Sequence, residues 1–149
     1  MNTKRVDGAA ATLASLLLTG CLNIYTPKTP HYDNLGRRIV FAEQKNHPRG
    51  AGAKYVGGIP TVCYDPWWIG QFLEEFQTFV FYHEIGHIEL KHLSFGSLEQ
   101  EADCYSMRYL EEKLNYTPEQ IGKVYHTAVI FFGERRAEEM LECLSEKRF

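Results

Sequence analysis

Positive charge is what this chain most plainly lacks. Its 16 lysines and arginines face 19 aspartates and glutamates across 149 residues, for a formal net charge of −3 at pH 7. That balance excludes the basic footprint by which nucleic-acid-binding domains announce themselves. The mostly apolar stretch from Gly8 to Leu18 falls well short of the ~20 residues that cross a bilayer as a helix. There is no internal repeat, no low-complexity tract and no histidine-rich tract of the kind that stores or senses metal. Cysteine is sparse, with four in the chain. What is present is enough chain for one domain around one modest core.

The first twenty residues read as a secretion signal, with Lys4 and Arg5 as the basic start and residues 8–18 as the apolar run. The run ends in Leu18-Thr19-Gly20-Cys21, which resembles the bacterial lipoprotein signal. That resemblance implies cleavage before Cys21 and a lipid on its thiol, which would hold the protein to a membrane without a transmembrane helix. Leu22 stands where Gram-negative lipoproteins retained in the inner membrane carry an acid, so the expected location is the outer membrane, facing the periplasm. Residues 21–34, with Pro27, Pro30 and no periodic apolar pattern, read as a tether between lipid and domain. Export places Cys63, Cys104 and Cys143 in an oxidising space. The favoured pairing is Cys104 with Cys143, which would staple the last helix to the one expected to carry a metal ligand.

The domain itself, residues 35–149, reads as α+β: a small antiparallel sheet of about three strands followed by about four helices. Ile39-Val40-Phe41 suits a strand, and residues 46–54 read as a loop. Gly57-Gly58 supplies a tight turn between Tyr55-Val56 and the strand Ile59 to Tyr64. Pro60 argues for an edge position, because it has no N–H to donate. Asp65-Pro66 is a helix start, and apolar residues at helical spacing continue from Ile69 through His83 and His87, with a kink expected near Gly70. Ser97 to Gln100 and Thr117 to Gln120 have the form of capping boxes, and Gly133 separates the last two helices.

The chemistry concentrates in His83-Glu84-Ile85-Gly86-His87. Two imidazoles four residues apart stand one above the other on a helix face and can grip one metal ion, with a carboxylate between them to take a proton. Downstream, Glu99 and Asp103 are four apart and share a face, while Glu101 points roughly the opposite way. Together these segments resemble the gluzincin zinc metallopeptidases. With His92 five residues after His87, they are especially similar to the HtpX and CAAX prenyl protease family. The resemblance covers about Tyr64 to Tyr109. It implies one Zn²⁺ on His83, His87 and Glu99, Glu84 as general base, and Asp103 as the acceptor that orients a ligand histidine. Only a short interval separates His87 from Glu99, so the first helix must end early or the second must cross it steeply, and Glu101 is the alternative third ligand.

A peptidase also needs a donor for the developing oxyanion. The candidates are His126, Tyr125, Tyr105, Arg135 and Arg136, with His126 preferred for its mid-helix place. The arginines serve equally to neutralise Asp103 or Glu101. The expected function is a lipid-anchored envelope metallopeptidase acting on peptides or unfolded proteins, with a peptide added as an extra strand along Ile59 to Tyr64. The alternative is a catalytically inactive, zinc-containing binding module of the envelope whose zinc site is structural or vestigial, a reading that a closed site completed by His92 or a cysteine would support.

Overall fold

The computed structural model describes residues 24–94 and 98–145. The expected signal peptide, Cys21 and Ser97 lie outside the described residues. Three strands, β1 (Val40–Glu43), β2 (Ala51–Val56) and β3 (Ile59–Tyr64), precede five helices. The helices are α1 (Pro66–Ile69), α2 (Glu74–Glu89), α3 (Glu99–Glu112), α4 (Pro118–Phe132) and α5 (Glu134–Ser145). The domain is α+β, as its sequence indicates. None of the described helices is long and apolar enough to cross a membrane.

The sheet differs from expectation in being mixed. Its order is β1-β3-β2, with β3 antiparallel to β2 and parallel to β1. The cause is the loop 44–50, which carries the chain past the end of β3 so that β1 and β2 flank it. Asp65, directly after β3, clips that loop: its carboxylate accepts the backbone N–H of Asn46, and its own N–H donates to the Gly50 carbonyl. The same carboxylate caps α1 by accepting from the Trp67 and Trp68 amides. β3 is therefore the central strand, contrary to the edge position argued from Pro60. The proline is tolerated because Val56 and Ile59 close the two-residue turn as a hydrogen-bonded pair, which turns the Pro60 nitrogen away from β2. β1 begins its pairing only at Thr61, so that nitrogen faces no partner strand.

The expected long helix from Pro66 to His87 is broken into α1 and α2, which is why there are five helices and not four. The break falls at residues 70–73, where Gln77 donates its amide to the Phe72 carbonyl. α2 is the central element. Phe76, Phe79, Phe81, Tyr82, Ile85 and Ile88 are all fully buried along it. A helix apolar on every side is one packed on every side. It lies on β2 and β3 through one face and on α3 and α4 through the other. Each such side chain contributes about 1.5–3 kcal/mol relative to exposure, which makes α2 the least movable part of the domain.

The segment expected to be a tether lies against the domain from Ile24 onward. Ile24 and Tyr25 pack on the core, and the Tyr25 N–H donates to Gln77. His31 and Asp33 are buried. At the far end, Cys104 on α3 and Cys143 on α5 form a disulfide, and Cys63 is a buried free thiol. The Thr117–Gln120 capping box is formed in both directions.

Asp65 gives a test of the loop clip. The Trp68 amide and, beyond it, those of Asn46, Trp67 and His47 hold its carboxyl below the usual carboxylate range, against the opposing effect of burial. A carboxyl depressed in the folded state stabilises the fold above its unfolded pKa and ceases to do so as pH falls through the folded value. Asp65→Ala is therefore expected to lower Tm by several degrees at pH 7, with the gap to the parent chain closing below about pH 4. Thermal melts at pH 7 and pH 3 check it; an equal gap at both would remove the charge from the account.

Candidate metal centre

Two constraints bring the expected ligands together. The first is the end of α2. The helix stops at Glu89, Leu90 caps it, and Lys91 takes a left-handed conformation with φ 62°. A non-glycine residue in that region marks a turn that the surroundings enforce. The early stop lets α3 begin beside His83 and His87 instead of far along the axis. The second is close packing of α3 on α2. Gly86 faces Tyr105, and a Cβ at Gly86 would meet the Tyr105 ring at 3.0 Å. The buried Ser106 hydroxyl donates to the Phe79 carbonyl at 2.8 Å, fixing the register of the two helices.

The result is a compact donor set. His83, His87 and Glu99 each offer one ligand atom, and these atoms lie within 4.8 Å of one another, so the three residues could hold a metal ion. His83 Nε2 is 3.0 Å from His87 Nε2 and 3.3 Å from Glu99 Oε2, and His87 Nε2 is 3.5 Å from Glu99 Oε1. A tetrahedral ion with ligands at 2.0–2.1 Å separates its donor atoms by roughly 3.3 Å. Two imidazoles and one carboxylate at that spacing could hold a divalent metal ion. The third position is taken by Glu99 and not by Glu101, which turns its carboxylate to His92.

Asp103 sits behind this set. Its Oδ1 is 2.8 Å from His83 Nδ1, off the line of an ideal ring N–H bond. Arg136 grips Asp103 with two nitrogens, at 2.8 and 3.0 Å, and reaches Glu99 at 3.3 Å. Its guanidinium also lies 4.2 Å from the centre of the Phe132 ring.

Electrostatics follow the geometry. Burial works against charge on His83, but the close carboxylates of Asp103 and Glu99 and the charge of Glu84 prevail and raise its pKa to about 9. His87 moves the other way, to about 4, through burial and the neighbouring His83 cation. Glu99 is held at about 2, first by its hydrogen bond to His83. Burial raises the Glu84 carboxyl above its ordinary value; His83 pulls it back and Glu99 adds to the rise.

The donors open into a cleft of about 640 Å³. Glu84 lines it together with Arg49, Trp68 and Phe132, and residues Ala51, Gly52, Ala53 and Lys54 of β2 form one wall. The other proposed oxyanion donors are elsewhere. His126 is exposed on α4 against Tyr125 and does not line the cleft. Arg135 is exposed and pairs with Glu139. Tyr105 belongs to a separate cleft on the far side of α3. His47, which sequence reasoning passed over, lines the cleft from the loop that Asp65 clips. Nothing in its local sequence signals that position, which the loop crossing creates.

Compared with protein-family models, with curated proteins and with solved structures, the chain finds no match in any of the three.

One equivalent of a divalent transition ion is the expected stoichiometry, read by equilibrium dialysis or by the visible absorption of Co²⁺. His83→Ala and His87→Ala should each abolish it, while Glu101→Gln should retain it. Loss with Glu101→Gln but not with Glu99→Gln would reassign the third ligand.

Proposed function

We propose that the protein is a zinc-dependent peptidase of the bacterial cell envelope, held to the membrane by a lipid on Cys21. The observation that carries the reading is the placement of Glu84 in the same cleft as the three-donor cluster. The sequence resemblance to gluzincin peptidases supports the same reading. Zinc, when bound by His83, His87 and Glu99, supplies Lewis acidity that polarises a carbonyl and acidifies water. Glu84 takes a proton from the attacking water and returns it to the leaving amine nitrogen. Its raised pKa suits both halves of that task. The backbone N–H of Ala53 on β2 steadies the carboxylate. Asp103, itself fixed by Arg136, orients the His83 ring.

The substrate is a peptide or an unfolded protein in extended form. β3 is the central strand and has no free edge, so it does not receive the peptide. Among the described residues β2 pairs only with β3, and its open edge runs along the cleft. An extended chain adds there by main-chain hydrogen bonds. Arg136, the only candidate oxyanion donor that lines the cleft, is engaged by Asp103 and Glu99.

The alternative, an inactive binding module with a structural or vestigial zinc site, would be supported by a side chain closing the fourth position. Among the described residues no further His, Cys, Asp or Glu joins the cluster. His92 faces His87 and Glu101 instead.

Glu84→Gln separates the two readings. Zinc should remain at one equivalent while cleavage of an unfolded protein such as casein falls by about 10²–10⁴-fold. Retained cleavage would remove Glu84 from the mechanism, and absence of cleavage by the parent chain would favour the binding module.

A further inference from the structure

A chain of side chains runs from the metal cluster through His92, which lines the cleft beside His87, to Glu101 at the surface. His87 Nδ1 lies 3.1 Å from His92 Nδ1. His92 Nε2 lies 3.3 Å from Glu101 Oε2. His92 is 4% exposed, whereas the Glu101 side chain is 63% exposed. The order is thus a buried ligand, a buried imidazole and a carboxylate at the surface.

The turn after α2 builds this arrangement. Lys91 in the left-handed region reverses the chain, and the short 3-10 segment His92–Ser94 folds back on the helix it has just left. Without that reversal His92, five residues after His87, would lie well round the helix axis from it. The rings of His87 and His92 instead meet at a centroid distance of 5.3 Å and an interplanar angle of 69°. That edge-to-face meeting sets nitrogen against nitrogen.

Donor and acceptor roles along the chain follow from its end. A carboxylate only accepts, so Glu101 requires the proton of His92 on Nε2. In neutral His92 the Nδ1 is then a lone-pair acceptor, and the proton in the 3.1 Å gap belongs to His87 Nδ1. His87 Nε2 is left with its lone pair facing His83 and Glu99, the form that ligates a metal. We infer that His92 and Glu101 are a positioning relay that fixes the tautomer and ring orientation of His87. The relay rests on the reading of His87 as a metal ligand, and it gives the two ligand histidines different supports. His83 is held by a carboxylate directly, and His87 by a carboxylate acting through a second imidazole.

Two measurements test it on the full chain. The first uses metal-free protein with ¹⁵N-labelled histidine. A proton on His87 Nδ1, with a ¹⁵N–¹⁵N scalar coupling across the hydrogen bond to His92 Nδ1, is expected. A His87 Nδ1 without a proton, or without that coupling, overturns the relay whether or not the protein binds metal. The second reads Zn²⁺ dissociation constants by competition with a chelator. His92→Leu should weaken binding by about 10–100-fold, the usual cost of losing such a support. His92→Asn, whose side-chain oxygen falls near the place of Nδ1, should restore most of it. Glu101→Ala, on an exposed side chain that leaves the core intact, should weaken binding several-fold and carries the test if His92→Leu does not fold. Equal affinity in the parent chain and Glu101→Ala, or in His92→Leu and His92→Asn, overturns the relay. A parent chain that binds no Zn²⁺ while retaining the coupling overturns the metal reading and leaves the hydrogen-bond assignment standing.

Discussion

The close approach of α3 to α2 is the constraint on which the rest depends. At Gly86 there is no side chain, and the Tyr105 ring stands 3.0 Å from the place a Cβ would take. That contact lies between the two histidines in sequence, so whatever fixes the α2–α3 distance also fixes the gap from His83 and His87 to Glu99. Ser106, the next residue of α3, locks the register by donating to the Phe79 carbonyl. The disulfide from Cys104 to Cys143 ties the opposite face of α3 to α5, which brings Arg136 onto Asp103. Three independent restraints thus converge on one helix, and α3 has little freedom to withdraw its carboxylate. A site that needs donor atoms placed to a few tenths of an ångström needs that redundancy.

The site was legible where its residues lie close in sequence on one helix. The four-residue spacing of His83 and His87 guarantees a shared face, and the downstream acids needed only a turn short enough to return them. The geometric objection raised by the short interval between His87 and Glu99 also pointed to its solution, an early end to α2. What stayed hidden was tertiary. No residue between Leu90 and Ser94 signals a left-handed turn at a lysine, so His92 reads as a charge partner at a helix end. Arg136 could be named only as one of several candidates, because its partner is set by the packing of α5 on α3.

The sheet illustrates the same limit. The glycine pair specifies the turn of the β2–β3 hairpin, and that much follows from local chemistry, but Ala51 to Lys54, which read as loop, belong to β2. Pro60 suggests an edge because a proline interrupts a ladder, but interruption has a direction. Its missing donor faces the side that β1 reaches only from Thr61 onward. Whether β1 joins parallel or antiparallel depends on the path of the loop 44–50, which is governed by Asp65, 19 residues after Asn46. The split between α1 and α2 is likewise set by the contacts of residues 70–73 and not by a breaker that periodicity alone can weigh.

The charges of the site explain how it stays assembled before an ion arrives. Glu99 and Asp103 are both held ionised, and Arg136 offsets one of them. The remaining negative charge is met by the proton on His83, whose pKa of about 9 reflects that company. Nε2 of that same cation lies 3.0 Å from the neutral His87, so a positive centre already stands among the donor atoms. A buried arrangement of acids without such a centre would repel itself apart or take up protons. A divalent ion bound here would therefore exchange for a proton at a place built around positive charge and would not have to organise the site on arrival. The arrangement also sets an asymmetry between the histidines: His83 must give up a proton to become a ligand, whereas His87 is neutral and ready beforehand.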